Sequence, residues 1–428
     1  MGTANGHMKI LLIHQNFPGQ FKHLAPALVR QGHDVRAFSM NKNAPAQWNG
    51  VKVYPYQPGR GSSAEIHPWV ADFETKVIRA EAAFHHARKL RDEGFEPDVI
   101  LAHHGWGESL FLKEVWPKAR LGIYCEFFYI EEGGDVGFDP EFPGSSDSDI
   151  CRLRMKNLNN LLHFEIADAA ISPTHWQAST FPAHFRSRIT VVHDGIDTDA
   201  ITPNPKIRIQ LNQNVTLSRD DEVITFVNRN LEPMRGYHIF MRALPELLRR
   251  RPKARVLIVG GDKVSYGAKP SDDRSWKQTY IDEVRHQMPP GAWERVHFLG
   301  NIDYGKFVAM LQLSRVHVYL TCPFVLSWSL IEAMSAGCAI VASDTTPLHE
   351  AIRDGETGRL VNFFDVPAWV DQIDALLGQA AERERLGRNA REFARTHYDL
   401  QRVCLPQQLA WVQSLGEMAS VKGPAPAR

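Results

Sequence analysis

The chain has 428 residues, with 49 acidic and 49 basic side chains. That length holds two domains of ordinary size, and the balanced charge excludes the strong positive field of a nucleic-acid binder. No apolar run approaches the roughly 18 residues of a membrane span, no signal peptide is visible, and five scattered cysteines without a CxxC pair point to a reducing, cytoplasmic compartment.

The leader "MGTANGHM" reads as an expression-tag remnant with Met8 as the natural start, and the end "VKGPAPAR" as a frayed tail. Next, "KILLIH" (9–14) is a continuous apolar run, as a strand buried on both faces requires. The polar loop "QNFPGQFKH" leads into the helix "LAPALVRQG", which Gly32 stops, and "HDVRAFS" is the next strand. "DVILAHH" (98–104), "ARLGIYCEF" (119–127), "DAAISP" (168–173) and "RITVVHDG" (188–195) follow as strands. "GFDPEFPGSSDSD" (137–149) reads as a loop inserted in this first domain. The pattern then restarts. "EVITFVNRN" (222–230) is a strand, "EPMRG" a turn, "YHIFMRALPELLRR" a helix and "ARVLIVGG" (254–261) a strand. "RVHFLG" (295–300), "VHVYLT" (316–321), "CAIVAS" (338–343) and "GRLVN" (358–362) continue it.

Strands alternating with helices predict an α/β chain of two doubly wound parallel sheets. We place the first domain at 8–196, the second at 197–398, and a last helix at 399–420 that returns to the first domain. Ligands in such sheets bind beyond the carboxyl ends of the strands. Two domains facing a central cleft would line it with residues that follow strands.

Several groups stand at such places. Arg229 and Arg235 are six residues apart around a turn stiffened by Pro233, and Gly236 opens the next helix. Both can aim at a diphosphate over a helix N-terminus, or they are simply solvated. Glu332 either closes a capping box with Ser329 or accepts the hydroxyls of a ribose. His103 and His104 point to opposite faces of their strand end, so one can reach the cleft while the other is buried. "DSD" (147–149) has the form of a metal–nucleotide motif but lies in a Gly/Ser-rich acidic stretch and reads as a solvated loop. "VGGD" (259–262) lacks the GxGxxG spacing of a dinucleotide site. "RRRPKAR" (249–255) reads as a solvated helix end, with weak peripheral membrane contact as the alternative.

Together these stretches resemble the retaining glycosyltransferases of family 4, which have the GT-B fold of two Rossmann-like domains. "HQNFPGQFKHLAPALVRQGHDV" is similar to that family's first loop and helix, and "VVHDGIDTDAITPNP" to its interdomain segment, with His193 and Asp194 in place of Pro and Asn. "NRNLEPMRG" is similar to its diphosphate motif, and "RVHFLG", "IEAMSAGCAIVASD" and "IRDGETGRLV" to stretches around its nucleotide. "HHGWGE", "EFFY" and "PFVLSWSLIEAMSAG" resemble a bacterial subgroup.

The resemblance implies a transferase using a nucleotide-sugar donor and a saccharide, lipid-linked or small-molecule hydroxyl acceptor, with no cofactor and no metal. It assigns Glu332 to the nucleotide ribose, Arg229 and Arg235 to the diphosphate, and Gly300 to the nucleotide's surroundings. The first acid of the family's paired-acid motif is replaced by Phe324, so the sugar would be held by N–H groups of Leu326, Ser327, Trp328 and Ser329 and by the serine hydroxyls. Gly19, Gln20, His104 and Glu126 would face the reacting sugar. Glu126 stands where the family commonly has a histidine; its rival reading is a structural acid. The alternatives to a transferase are a nucleotide-sugar epimerase and a non-catalytic nucleotide-sugar-binding protein.

Overall fold

The computed structural model describes residues 6–142, 146–270 and 274–420. Residues 1–5 of the leader and the tail 421–428 lie outside the described residues. The chain divides into two compact units, Met1–Glu132 with Gly144–Asp194 and Gln401–Arg428, and Gly133–Pro143 with Gly195–Leu400.

The first unit is built on eight strands: β1 (Lys9–Ile13), β2 (Asp34–Ser39), β3 (Gln47–Trp48), β4 (Val51–Pro55), β5 (Val99–Ala102), β6 (Arg120–Tyr124), β7 (Ala169–Ser172) and β8 (Ile189–Val191). Their order is β3-β4-β2-β1-β5-β6-β7-β8, parallel except for the β3–β4 edge pair. Ile10, Leu11, Leu12, Val99, Ile100, Leu121 and Ile123 are fully buried, which is why these strands read as unbroken apolar runs. The chain leaves β1 toward β2 and β4, then crosses to β5 on the other side of β1. The switch point therefore lies between β1 and β5, paired Ile10 to Val99 through Ile13 to Ala102.

The last helix, Leu405–Ser420, packs in this unit. Gly122 makes room for it: a Cβ there would stand 2.7 Å from side-chain atoms of both Trp411 and Leu415. β4 and the helix Ala71–Asp92 are among the elements absent from the sequence reading. β4 ("VKVYP") is short and mixed. The helix Ala71–Asp92 buries mainly alanines, Ala80, Ala83 and Ala87, with Ile78 and Leu90, so its apolar face contrasts little with its polar one.

The second unit begins with an antiparallel hairpin, β9 (Arg208–Asn212) and β10 (Val215–Ser218), also missing from the sequence reading. Six parallel strands follow: β11 (Val223–Asn230), β12 (Arg255–Gly261), β13 (Val296–Gly300), β14 (Val316–Tyr319), β15 (Ala339–Ser343) and β16 (Arg359–Val361), in the order β13-β12-β11-β14-β15-β16. The switch point lies between β11 and β14. The helix Tyr237–Arg250 packs Phe240 flat on Phe226, ring centroids 4.5 Å apart.

The segment expected as an insertion of the first domain is corrected here. Residues 133–142 belong to the second unit because their aromatic and acidic side chains find partners there. Phe138 meets Phe363 at 5.1 Å, Phe142 meets Trp276 at 5.3 Å, and Glu141 makes a two-pronged ion pair with Arg242 at 2.7 and 2.9 Å. "DSD" is no loop either. Ser146 caps the helix Asp147–Lys156 in a capping box with Asp149, which also pairs with Arg152 at 3.0 Å, so the Asp149 carboxylate is engaged as a helix cap.

Candidate active site

In the first unit a chain of polar contacts runs along the strand ends at the switch point. Asn16 N–H donates to His14 Nδ1 at 3.0 Å, which leaves the proton on Nε2 to be donated to Gln20 Oε1 at 2.7 Å. The Gln20 amide in turn donates to Glu126 Oε1 at 3.4 Å, and Glu126 Oε2 lies 3.4 Å from His103 Nε2. Gly19 permits the approach. Its φ is +45°, and a Cβ would stand 2.2 Å from the His14 ring. Burial, then neighbouring His103, lowers the His14 pKa to about 4, so the ring is neutral at physiological pH. Burial also opposes charge on His103, but the hydrogen bond and charge of Glu126, with Glu108 behind, raise its pKa.

Gly19, Gln20 and Glu126 are thus brought together, and His104 is not. Its ring is 2 % exposed, with Nδ1 3.0 Å from the Tyr124 carbonyl and Nε2 2.8 Å from Asn160 Oδ1. Burial, with His163 and His103 nearby, holds its pKa well below 6.5. The expectation for His104 is corrected: β5 ends at Ala102, and the turn that follows buries His104 and leaves His103 facing Glu126. His14 was missed, although it follows the first apolar run and so stands where functional residues were sought.

In the second unit, Arg235 ends a short 3-10 turn, Pro233–Arg235, and is 7 % exposed. Its Nη1 donates to Thr321 Oγ1 at 2.6 Å and to the Val325 carbonyl at 3.0 Å, bridging the switch point from the β11 side to the β14 side. Burial opposes its charge, but Tyr319, Tyr266, Cys322 and Glu232 outweigh that and raise its pKa. Arg229 is exposed near the end of β11.

Glu332 is 7 % exposed and accepts from the Tyr304 hydroxyl at 2.7 Å. The capping-box alternative fails. The helix Trp328–Ser335 is capped by Ser327, whose Oγ accepts from Ser329 N–H, so Glu332 lies beyond the first turn and Ser329 lies inside the helix. Tyr304 follows Gly300 by four residues, in the first turn of the helix Tyr304–Leu313; the sequence reading missed it for want of any motif.

Two expected sugar donors are otherwise engaged. Ser327 N–H donates to the Tyr319 hydroxyl at 3.1 Å and Ser329 N–H to Ser327 Oγ at 3.3 Å, because together they start the helix. The two serine hydroxyls lie 2.9 Å apart. Phe324 and Leu326 are buried and Trp328 half-buried.

The ligand atoms of Asp139, Glu141 and His238 lie within 4.8 Å of one another. Arg242 holds both Glu141 oxygens in an ion pair, and His238 Nε2 lies 2.9 Å from Asp139 Oδ2, so these acids tie the segment 133–142 to the second unit. The three arginines that open the basic run 249–255 are paired with acids in place. Arg249 and Arg250 pair with Glu246, Arg250 also with Asp371, and Arg251 with Glu222 and Asp374. Among the described residues, no helix is long and apolar enough to cross a membrane.

Two doubly wound units, each with polar side chains gathered at its switch point, define a GT-B fold. Residues 31–201 match the family described as "Glycosyl transferase family 4 group", and residues 208–393 the one described as "Glycosyl transferases group 1". The chain belongs to this family of glycosyltransferases. A D-inositol 3-phosphate glycosyltransferase of Corynebacterium efficiens is 26% identical over 380 residues, 86% of this chain and 83% of its own length. One of Corynebacterium glutamicum is 30% identical over 60% of this chain, and the match takes in 58% of that protein. For the relative in Gordonia bronchialis the match takes in 52% of its length. Among solved structures, a sucrose-phosphate synthase from Thermosynechococcus elongatus superposes with a TM-score of 0.71 at 20% identity, covering 96% of this chain and 100% of that one. HepE of Anabaena, in complex with UDP and glucose, has a TM-score of 0.66 at 16% identity, covering 95% and 100%. At these identities the likeness establishes the fold.

Proposed function

We propose that the chain is a retaining, metal-independent glycosyltransferase that moves a sugar from a nucleoside-diphosphate sugar to a hydroxyl of a saccharide, lipid-linked or small-molecule acceptor in the cytoplasm. The observation that carries this reading is Arg235, a buried guanidinium anchored across the switch point beside the N-terminus of a 14-residue helix. As the bond from the anomeric carbon to the diphosphate breaks, negative charge develops on the leaving oxygen. A cation already fixed there stabilises that charge without reorganisation. Arg229 adds a second positive charge, and two arginines do what a bound metal would otherwise do. Glu332, oriented by Tyr304, accepts the ribose hydroxyls. The carboxylate of Glu126 faces the sugar and supports positive charge at the anomeric carbon. The acceptor oxygen forms the new bond and releases its proton. A structural neighbour holding UDP and glucose favours a nucleotide-sugar donor, and relatives named D-inositol 3-phosphate glycosyltransferases favour glycosyl transfer.

The test is a thermal-shift screen of UDP, GDP and ADP, followed by turnover of the matching sugar donors. A ligand at 100 times its Kd adds about 2.7 kcal/mol of stability. Arg235→Ala should lower turnover roughly 100- to 1000-fold. Product of unchanged anomeric configuration, and single-turnover rates that survive EDTA, complete the expected result. Wild-type turnover in Arg235→Ala would overturn the clamp. An inverted product, or loss with EDTA and rescue by Mg²⁺, would overturn retention or metal independence respectively.

A further inference from the structure

Glu232 is 1 % exposed, yet it makes no ion pair with neighbouring Arg235 among the described residues. Its carboxylate instead fills a nest of three consecutive backbone N–H groups in the loop after β12. Ser265 N–H donates to both oxygens, and Tyr266 N–H and Gly267 N–H donate to Oε2, each at 3.3 Å. Asn230 reinforces the attachment by donating to Ser265 Oγ at 2.6 Å. The turn that carries Arg235 thereby holds the loop 262–268 to itself.

The attachment places one side chain in particular. The Tyr266 ring lies 5.0 Å from the Phe324 ring, and the Arg235 guanidinium carbon is 5.5 Å from each ring centroid. Arg235 therefore lies over a pair of adjoining aromatic rings, which attract its charge without neutralising it. Only Nη1 is hydrogen-bonded among the described residues, so Nε and Nη2 remain for an anion. Had the Glu232 carboxylate turned to Arg235, it would have occupied those donors.

We propose that Glu232 and Tyr266 are positioning residues of the donor site: the Glu232 carboxylate sets the loop so that the Tyr266 ring, with Phe324, fixes the Arg235 guanidinium to receive the diphosphate. This rests on the reading of Arg235 given above. The aromatic ring matters and the phenol hydroxyl does not. Tyr266→Ala lowers kcat/KM for the donor about 3- to 30-fold, while Tyr266→Phe restores it. Glu232→Gln produces a loss of the same kind, because its amide turns N–H toward N–H.

A double-mutant cycle tests whether the two act as one device. Glu232→Gln with Tyr266→Ala should be no slower than the slower single variant. Amide exchange in the 262–270 peptide should quicken in Glu232→Gln and stay unchanged in Tyr266→Phe. Additive losses, a Tyr266→Phe variant as slow as Tyr266→Ala, or unchanged exchange in Glu232→Gln would each overturn the proposal. Tyr266 is 41 % exposed, so its variants keep the test decisive should Glu232→Gln fold poorly. A wild-type protein that binds no nucleoside diphosphate would overturn the donor-site reading itself. Normal wild-type binding with unchanged exchange in Glu232→Gln would sink only this inference.

Discussion

At the scale of single residues, the two acids that matter are held very differently. Glu126 has a side chain 39% exposed, approached by Gln20 on one oxygen and His103 on the other. Both contacts are 3.4 Å long and aim the carboxylate. Glu126→Gln should cut turnover strongly while leaving nucleoside-diphosphate affinity almost unchanged. Near-normal turnover would return Glu126 to the scaffold. Glu332 is buried and accepts a short hydrogen bond from Tyr304. Glu332→Gln should weaken nucleoside-diphosphate binding itself, since an amide accepts fewer hydrogen bonds than a carboxylate. Unchanged affinity with a lower melting temperature would make Glu332 a structural partner of Tyr304. The types of these residues and their places after strands were legible in the sequence. Which of His103 and His104 faces Glu126 was not, because the strand ends at Ala102 and the following turn sets both rings.

At the scale of elements, the turn Glu232–Gly236 shows how little backbone freedom the site has. Gly236 has φ +68°, and a Cβ there would lie 2.2 Å from Leu320 Cβ. The glycine is needed both for the left-handed conformation and for the close approach of the β14 end. Gly236→Ala should cost roughly 1–3 kcal/mol in denaturant unfolding, and it should also displace Arg235 and slow turnover. Wild-type stability would mean that the turn adapts. Pro233 and Gly236 already marked this turn in the sequence. The anchoring of Arg235 on Thr321 and Val325 was invisible there, because those partners lie 86 and 90 residues away.

At the scale of the whole molecule, several buried histidines couple stability to acid. His163 is fully buried, its Nδ1–H donating to the Asn159 carbonyl at 2.8 Å and its Nε2 accepting from the Ser109 hydroxyl at 2.8 Å. Burial lowers its pKa to about 4, and likewise that of His193 to about 4 and that of His317 to about 3. In the unfolded chain a histidine titrates near 6.5. Below that pH the unfolded state binds protons that the folded state refuses. The stability these rings contribute is therefore complete above about pH 6.5 and is lost as pH falls toward about 4 for His163 and His193 and about 3 for His317, at about 1.4 kcal/mol per pH unit at most for each ring. His103, whose pKa is raised, works in the opposite direction and offsets part of the loss. Calorimetry between pH 7 and 4.5 should show the decline, and His163→Gln should make it shallower. An equal slope in the variant would remove His163 from the account.

The sequence by itself determined the two restarting αβ patterns, the buried strands and the strand–turn–helix around Arg235, because apolar periodicity and turn chemistry are local properties of the chain; the family was legible only as a resemblance carried by its motifs. Only the tertiary structure decided that residues 133–142 pack with the second unit, that Ser327 rather than Ser329 caps the helix carrying Glu332, and that His14 and His103 meet at 5.2 Å beside Glu126. The first and third depend on residues distant in sequence lying side by side, and the second on which of two nearby serines starts the helix, where the Tyr319 hydroxyl accepts from Ser327 N–H. No local pattern encodes that.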